Sequence, residues 1–225
     1  MTDKSVASLI PKTIHQIFWN FKGKELNEID VFRESVDETK RFCEEYKYEY
    51  KMWNLKDCEE LICEYFPKYI CLWQEFRYPI QRADFIRYCI LFIHGGFYVD
   101  CDVYPIQNLD SLLDSGRQVF TSWNDDKDKK PYNAVMGSVK RNPLFLDIMD
   151  DIQNRVIEKQ SKKIYDTWKG RLVFQTTGHH MLKRHVPKEN IYDLMLIYNE
   201  KKNIYTTSPN PYFYDNNISF WHSDK

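Results

Sequence analysis

The sequence predicts an α/β fold built on a mixed, mostly parallel central sheet flanked by helices, and three observations predict it. Short runs of β-branched and aromatic residues alternate with segments whose apolar residues recur at helical spacing. The strongest helical segment, "YPIQRADFIRYCILFIHGG" at 78–96, runs through a glycine pair straight into the strand-like "FYVDCDV". The length of 225 residues favours one domain, residues 1–225, with a sizeable core and a helical excursion over about 30–77.

In chain order, "IPKTIHQIFW" at 10–19 follows a proline, is rich in strand formers and reads as a central strand. Over 30–50, Phe32, Val36, Thr39, Cys43, Tyr46 and Tyr50 recur at helical spacing among charges, the pattern of an amphipathic helix. "YKMWNL" at 50–55 reads as a short strand, 55–66 as a helix closed by Pro67, and 68–77 as a further helical piece. In the segment 78–96, Pro79 fits the first turn, residues 80, 83, 86, 90 and 91 make a core stripe, and Gly95 or Gly96 supplies a left-handed cap. "GRQVFTSW" at 116–123 reads as a strand, and Asn142 and Pro143 as the N-cap and first-turn proline of a helix. "TTGHHMLKR" opens a last short helix, "IYDLMLIYN" reads as one strand, and the tail is turn-rich and aromatic.

Composition narrows the function. Lysine and arginine number 32 against 33 acidic residues, a formal charge of -1, so the chain lacks the basic field of a general nucleic-acid binder. The six cysteines include no CxxC pair and no histidine at zinc spacing, which points to reduced thiols. No window approaches the length of an apolar membrane span and the first residues lack a signal peptide, so the expectation is a soluble, cytoplasmic protein with no transmembrane segment.

Asp100 and Asp102 stand at the end of a strand-like run, where open α/β sheets bind their ligands. In an extended segment their side chains share a face, and two convergent carboxylates call for a hard cation, Mn²⁺ or Mg²⁺, with coordination positions left for phosphate oxygens. Asp84 and Arg87 are i, i+3 neighbours on the preceding helix, on a face apart from its core stripe, with Arg82 just before them. Either they form a surface ion pair of little weight or they are carried alongside the cation site.

The blocks "IPKTIHQIFW", "YPIQRADFIRYCILFIHGGFYVDCDV", "YNAVMGSVKRNPLF", "TTGHH" and "SFWHSD" occur in the order found in glycosyltransferase family 32, which this sequence resembles over nearly its whole length. The resemblance implies a GT-A type nucleotide-sugar-binding fold and a metal-dependent, retaining transfer of a hexose from a UDP-sugar or GDP-mannose to a glycan or other hydroxyl acceptor. It implies Asp102 as principal metal ligand, with Asp100 and His222 as further ligands, and Asp84, Arg87, Asp100 and Asp102 as the catalytic set. It places His15, Gln16, Ile17, Phe18, Arg82, Tyr98, Asn133 and Trp221, together with Asp84, Arg87 and Asp100, against the donor. The sequence departs from the family pattern in its Phe18-Trp19 order, in Gly178-His179 where relatives have Gly-Pro, and in ending just after Trp221 and His222. Two rival readings are a catalytically silent sugar-nucleotide or glycan binder on the same fold and a metal-dependent phosphohydrolase, for which His179 and His180 are the candidate extra ligands.

Overall fold

A computed structural model describes residues 10–20, 23–123, 131–161, 169–192, 195–197, 205–206 and 211–216 of the chain. The elements in order are β1 (Thr13–Ile17), α1 (Asp30–Tyr46), β2 (Glu49–Trp53), α2 (Leu55–Tyr65), α3 (Ile70–Glu75), α4 (Pro79–His94), β3 (Gly96–Val99), β4 (Val103–Pro105) and α5 (Asp110–Leu113). They continue with β5 (Val119–Trp123), β6 (Pro131–Ser138), α6 (Leu144–Ser161), α7 (Lys169–Thr176), α8 (His179–His185), β7 (Ile191–Tyr192), β8 (Met195–Ile197), β9 (Tyr205–Thr206) and β10 (Phe213–Asp215).

The main sheet has the order β2-β1-β3-β6-β5-β7, and only β6 runs against the others. A second sheet, β4-β10-β8-β9, lies beyond the end of β3. The mixed, mostly parallel α/β architecture is therefore the one the sequence predicts, and β1 is interior to it, flanked by β2 and β3.

Side chains alternate across β3: Phe97 and Val99 join the core under Phe42 and Tyr48, while Tyr98 faces the larger core built from α2, α4, α6 and α8. Helix α4 runs through that larger core, and Ala83, Phe85, Ile86, Tyr88, Cys89, Ile90 and Leu91 are all buried, so apolar residues cover most of its circumference. Two glycines turn α4 into β3. Gly95 caps the helix at φ 63°, and Gly96, at φ 84°, passes so close to β1 that a Cβ there would meet the Thr13 carbonyl oxygen at 2.6 Å.

Five details differ from the sequence reading. Tyr50 belongs to β2, because α1 ends at Tyr46 on a left-handed Lys47. Strand β6 was not anticipated: its residues are buried with little polar alternation, and Asn133 and Gly137 interrupt the strand signature. Helix α7 was also not anticipated. The segment read as one strand at 191–199 is split, with β7 in the main sheet and β8 in the second. The strand that begins at Gly96 ends at Val99, so Asp100 and Asp102 occupy a turn rather than an extended segment. Among the described residues no helix is long and apolar enough to cross a membrane.

Candidate functional site

The site is built where α4, β3 and β6 meet. Arg87, 3% exposed, places its Nη2 3.0 Å from Asp84 Oδ1 and its Nη1 3.3 Å from Asp100 Oδ1. The same Nη1 donates to the Asn133 carbonyl at 2.7 Å, and Nε donates to the Ala83 carbonyl at 3.3 Å. Its guanidinium lies over the Tyr98 ring, 4.6 Å from the centroid. Tyr98 donates its hydroxyl to Asp100 Oδ1 at 2.6 Å. The acid and base at 84 and 87 are thus a buried pair inside the core, not an exposed one.

Asp84 is 4% exposed and fully engaged from neighbouring elements. Asn133 Nδ2 donates to Oδ1 at 3.0 Å, and the Thr177 hydroxyl donates to Oδ2 at 2.9 Å. Burial pushes its carboxyl up to about 6, against the opposing pull of Arg87 and the Thr177 hydroxyl. Asp100 is shifted in the same direction by burial, opposed by Arg87 and by the Tyr98 hydrogen bond. Burial also works against the charge on Arg87, but Asp100, Tyr98 and Asp84 more than offset it and keep the guanidinium protonated.

Directly above this network the chain makes the turn 100–102. Asp100 N donates to the Ala134 carbonyl at 2.9 Å, Val103 N donates back to the Asp100 carbonyl at 3.0 Å, and Cys101 points inward with Sγ 3.3 Å from the Ile17 carbonyl. Gln16 Nε2 donates to the Asp100 carbonyl at 3.1 Å while its Oε1 accepts from the Tyr50 hydroxyl at 2.9 Å. From the other side, Asn216 donates both its backbone N and its Nδ2 to the Asp102 carbonyl, each at 3.0 Å. With Cys101 anchored inside, the partly exposed side chains of Asp100 and Asp102 stand at the mouth of the turn.

The other sequence candidates are placed as follows. His15 has both ring nitrogens engaged inside the protein: Nε2 lies 3.0 Å from the Gly95 carbonyl, and Nδ1 accepts from Trp53 Nε1 at 3.2 Å. Burial, then the neighbouring His94, lower its pKa to about 3, so it is a neutral strut joining β1, β2 and the end of α4 rather than a side chain offered to a ligand. Gln16 braces the turn through its amide, and Ile17 lies in the larger core. Phe18 packs edge-on to Phe32, with ring centroids 6.0 Å apart, in the same small cluster as Cys101 of the turn. Arg82 turns away from the network, donating to the Trp73 carbonyl at 3.1 Å. Trp221 and His222 lie outside the described residues.

Sequence reasoning missed four contributors: Thr177, Tyr50, Asn216, and Tyr132, whose hydroxyl is raised by burial first and then by Asp215, Asp102 and Asp100. In the block "TTGHH" it is the second threonine, rather than a histidine, that reaches Asp84.

For a cation, the donors on hand are few and hard. Among the described residues no group of three or more His, Cys, Asp or Glu side chains converges as a ready metal cage. Two carboxylates at a turn fit Mg²⁺ or Mn²⁺, which keep coordination positions for the phosphate oxygens of a ligand.

Residues 27–119, which include α4, β3 and the turn 100–102, match the family model described as a glycosyltransferase sugar-binding region containing a DXD motif. The likeness is to a glycosyltransferase DXD region. Over 147 residues the chain is 33% identical to a mannosyl phosphorylinositol ceramide synthase of Saccharomyces cerevisiae, covering 65% of this chain and 35% of that protein. Over 172 residues it is 31% identical to inositol phosphoceramide mannosyltransferase 2 of Schizosaccharomyces pombe, covering 73% of this chain and 43% of that protein. A glycosyltransferase of Acanthamoeba polyphaga mimivirus is 30% identical over 148 residues, 61% of this chain and 53% of its own length. The chain thus spans about a third to a half of the length of these relatives. In structure it is similar to PaToxG glycosyltransferase, with a TM-score of 0.50 and 14% identity over 80% of this chain and 70% of that one, a likeness of fold. The DXD turn is therefore mounted on the GT-A architecture that the sequence blocks imply, while Asn133 and Thr177 reach it from outside the DXD region.

Proposed function

We propose that this chain is a metal-dependent glycosyltransferase that moves a hexose from a nucleoside-diphosphate sugar to a hydroxyl group of a glycan or other acceptor, with retention at the anomeric carbon. The observation that carries the reading is the buried network of Asp84, Arg87, Asn133 and Thr177 directly beneath the DXD turn. A charge that is expensive to bury is kept here by a full set of partners, which is what a site needs in order to hold an arginine rigid and ionised beside a phosphate. The names of two relatives, a mannosyl phosphorylinositol ceramide synthase and an inositol phosphoceramide mannosyltransferase, favour GDP-mannose as donor and leave UDP-sugars as the alternative.

In this reading Asp102 and Asp100, with His222, would hold Mn²⁺ or Mg²⁺, which would supply positive charge against the departing diphosphate. Arg87 fixes the Asp100 carboxylate and adds positive charge under the phosphates. Phe18 is buried in one cluster with Cys101 of the turn and Phe32, so it supports the turn from within and the base would stack on another group. Asp84 positions Arg87, Asn133 and Thr177. With both its oxygens already accepting hydrogen bonds, it is a poor nucleophile, which supports front-face attack over a double displacement. In that step the acceptor oxygen bonds to the anomeric carbon as the bond to the diphosphate oxygen breaks, and the acceptor proton passes to that departing oxygen. A covalent sugar adduct on Asp84, seen by mass spectrometry, would sink this route.

Calorimetric titration of GDP and UDP with and without Mn²⁺ tests the function. Metal-dependent binding of one nucleotide, lost in Asp102→Asn while the thermal transition stays unchanged, is the expected result. Equal binding by wild type and variant would remove the turn from the donor site and with it the proposal.

A further inference from the structure

At the opposite, amino-terminal end of β1 and β2, far along the strands from the DXD turn, lies a second concavity of about 770 Å³. Thr13, His15, Glu49, Lys51, His94 and Lys140 contribute to its wall. The volume lies within the range of small-molecule sites.

The charges there are unevenly matched. Two further lysines at the rim are committed elsewhere: Lys12 Nζ lies 2.7 Å from Asp110 Oδ1, and Lys47 Nζ donates to the Glu44 carbonyl at 3.1 Å. Glu49 accepts from the Thr13 hydroxyl at 3.4 Å. Lys51 and Lys140 have no carboxylate partner among the described residues, and Lys51 instead rests its ammonium over the Trp53 ring, 3.6 Å from the centroid. His94 lines the same cleft. Its ring is 5.2 Å from Trp53 and 5.9 Å from His15, centroid to centroid, and its Nε2 is buried with no hydrogen-bond partner among the described residues. An imidazole nitrogen buried without a partner is uncommon, since such groups are nearly always satisfied.

We propose that this cleft binds a phosphate-bearing anion, clamped between the ammonium groups of Lys51 and Lys140 with the His94 Nε2 donating the hydrogen bond it otherwise lacks. Burial, then Lys51, then Lys140 hold His94 below the ordinary histidine range, and Lys51 and Lys140 act in the same direction on His15, so both ammonium groups are within electrostatic reach of both rings. An anion between them reverses that field. Two influences oppose it: the Glu49 carboxylate on the wall, which accepts from the Thr13 hydroxyl, and the carboxyl end of α4, where the Leu91 and Phe92 carbonyls accept from Gly95 N and Arg141 N, at 2.9 and 2.7 Å. The proposal does not depend on sugar transfer, since it uses no residue of the DXD site.

The shared chemistry is a phosphate group, whose source is either a soluble ester or a phospholipid headgroup. The full chain carrying ¹⁵N-labelled histidine is titrated with inorganic phosphate against chloride of equal ionic strength, and the His94 ring signals are assigned by their loss in His94→Gln. The expected result is a saturable shift of the His94 nitrogens toward their protonated positions, weakened roughly tenfold or more in Lys51→Ala/Lys140→Ala and unchanged in Asp102→Asn. Lys140→Ala alone, at an exposed position, gives a second reading should the loss of Lys51 from Trp53 disturb the fold. Sedimentation with phosphatidylcholine vesicles, with and without phosphatidic acid, separates the sources. Lysine-dependent binding to the acidic vesicles identifies a headgroup site, and a phosphate shift without vesicle binding identifies a soluble ester. A shift that does not saturate, or that is equal in the lysine variants, together with no vesicle binding, overturns the proposal.

Discussion

Helices α1 and α4 each carry an aspartate followed three residues later by an arginine, and the two pairs have opposite physical meaning. Arg33 Nη2 meets Asp30 Oδ1 at 2.8 Å with the side chains 44% and 77% exposed, whereas Arg87 meets Asp84 at 3.0 Å with 4% and 6% exposed. Water shares the charges of the first pair, so its members need nothing else. The second pair has no water to share its charge and is supplied instead with Asn133, Thr177, Tyr98 and Asp100. Spacing alone does not distinguish the two. The neighbours along the helix do: α1 is charged on every turn, while α4 surrounds its pair with isoleucine, phenylalanine, tyrosine and leucine.

The largest expected effect is therefore at position 87. Arg87→Ala leaves Asp84 buried without its cation and should destabilise the fold by about 3 to 5 kcal/mol, measured by urea unfolding. A loss below about 1 kcal/mol would place the pair in the same class as Asp30 and Arg33.

The next effect concerns a buried group that has met the same problem by giving up its charge. His15 is held at about 3, below its unfolded value of about 6.5. The unfolded chain binds the extra proton between those values, so the stability His15 contributes is complete above pH 6.5 and falls as the solution is acidified toward pH 3. At pH 4.5 the loss should reach about 2 to 3 kcal/mol. Unfolding curves across this range should be steeper in pH for wild type than for His15→Gln, and parallel curves would show that His15 protonates without cost.

Smaller still, Thr177→Val removes the hydroxyl that donates to Asp84 Oδ2 and should cost about 1 to 2 kcal/mol, with nucleotide affinity falling alongside. Arg33→Ala should change stability by less than about 0.5 kcal/mol. If these two variants proved equal, burial would not be what separates the pairs.

Much of this arrangement was legible in the sequence. The run from Pro79 to Asp102 named the helix, its glycine cap, the following strand and the acidic turn, because each feature is local and carries its own signature. The geometry of the turn was not legible. Asp100 and Asp102 were expected to share a face of an extended strand, but the Val103 to Asp100 hydrogen bond and the burial of Cys101 fold them into a turn, and the second of these depends on β1 lying alongside. Thr177 escaped for a related reason. Its partner is 93 residues away, and a threonine ahead of a short helix reads first as a local capping residue. Strand β6 was hidden because it sits between β3 and β5 with most of its length buried, which erases the alternation that marks a strand with one wet face.

The grip of Asn216 on the Asp102 carbonyl orders events during synthesis. The two residues are 114 positions apart, so at ordinary translation speeds Asn216 is added roughly 6 to 23 seconds after the turn it secures. A nascent chain that has emerged through β6 already has the means to set Arg87 against Asp84, Asp100 and the Asn133 carbonyl. Thr177 and Asn216 arrive afterwards, one completing the floor of the site and the other latching its roof, so a chain arrested on the ribosome before residue 216 carries the charges of the site without the frame that aims them.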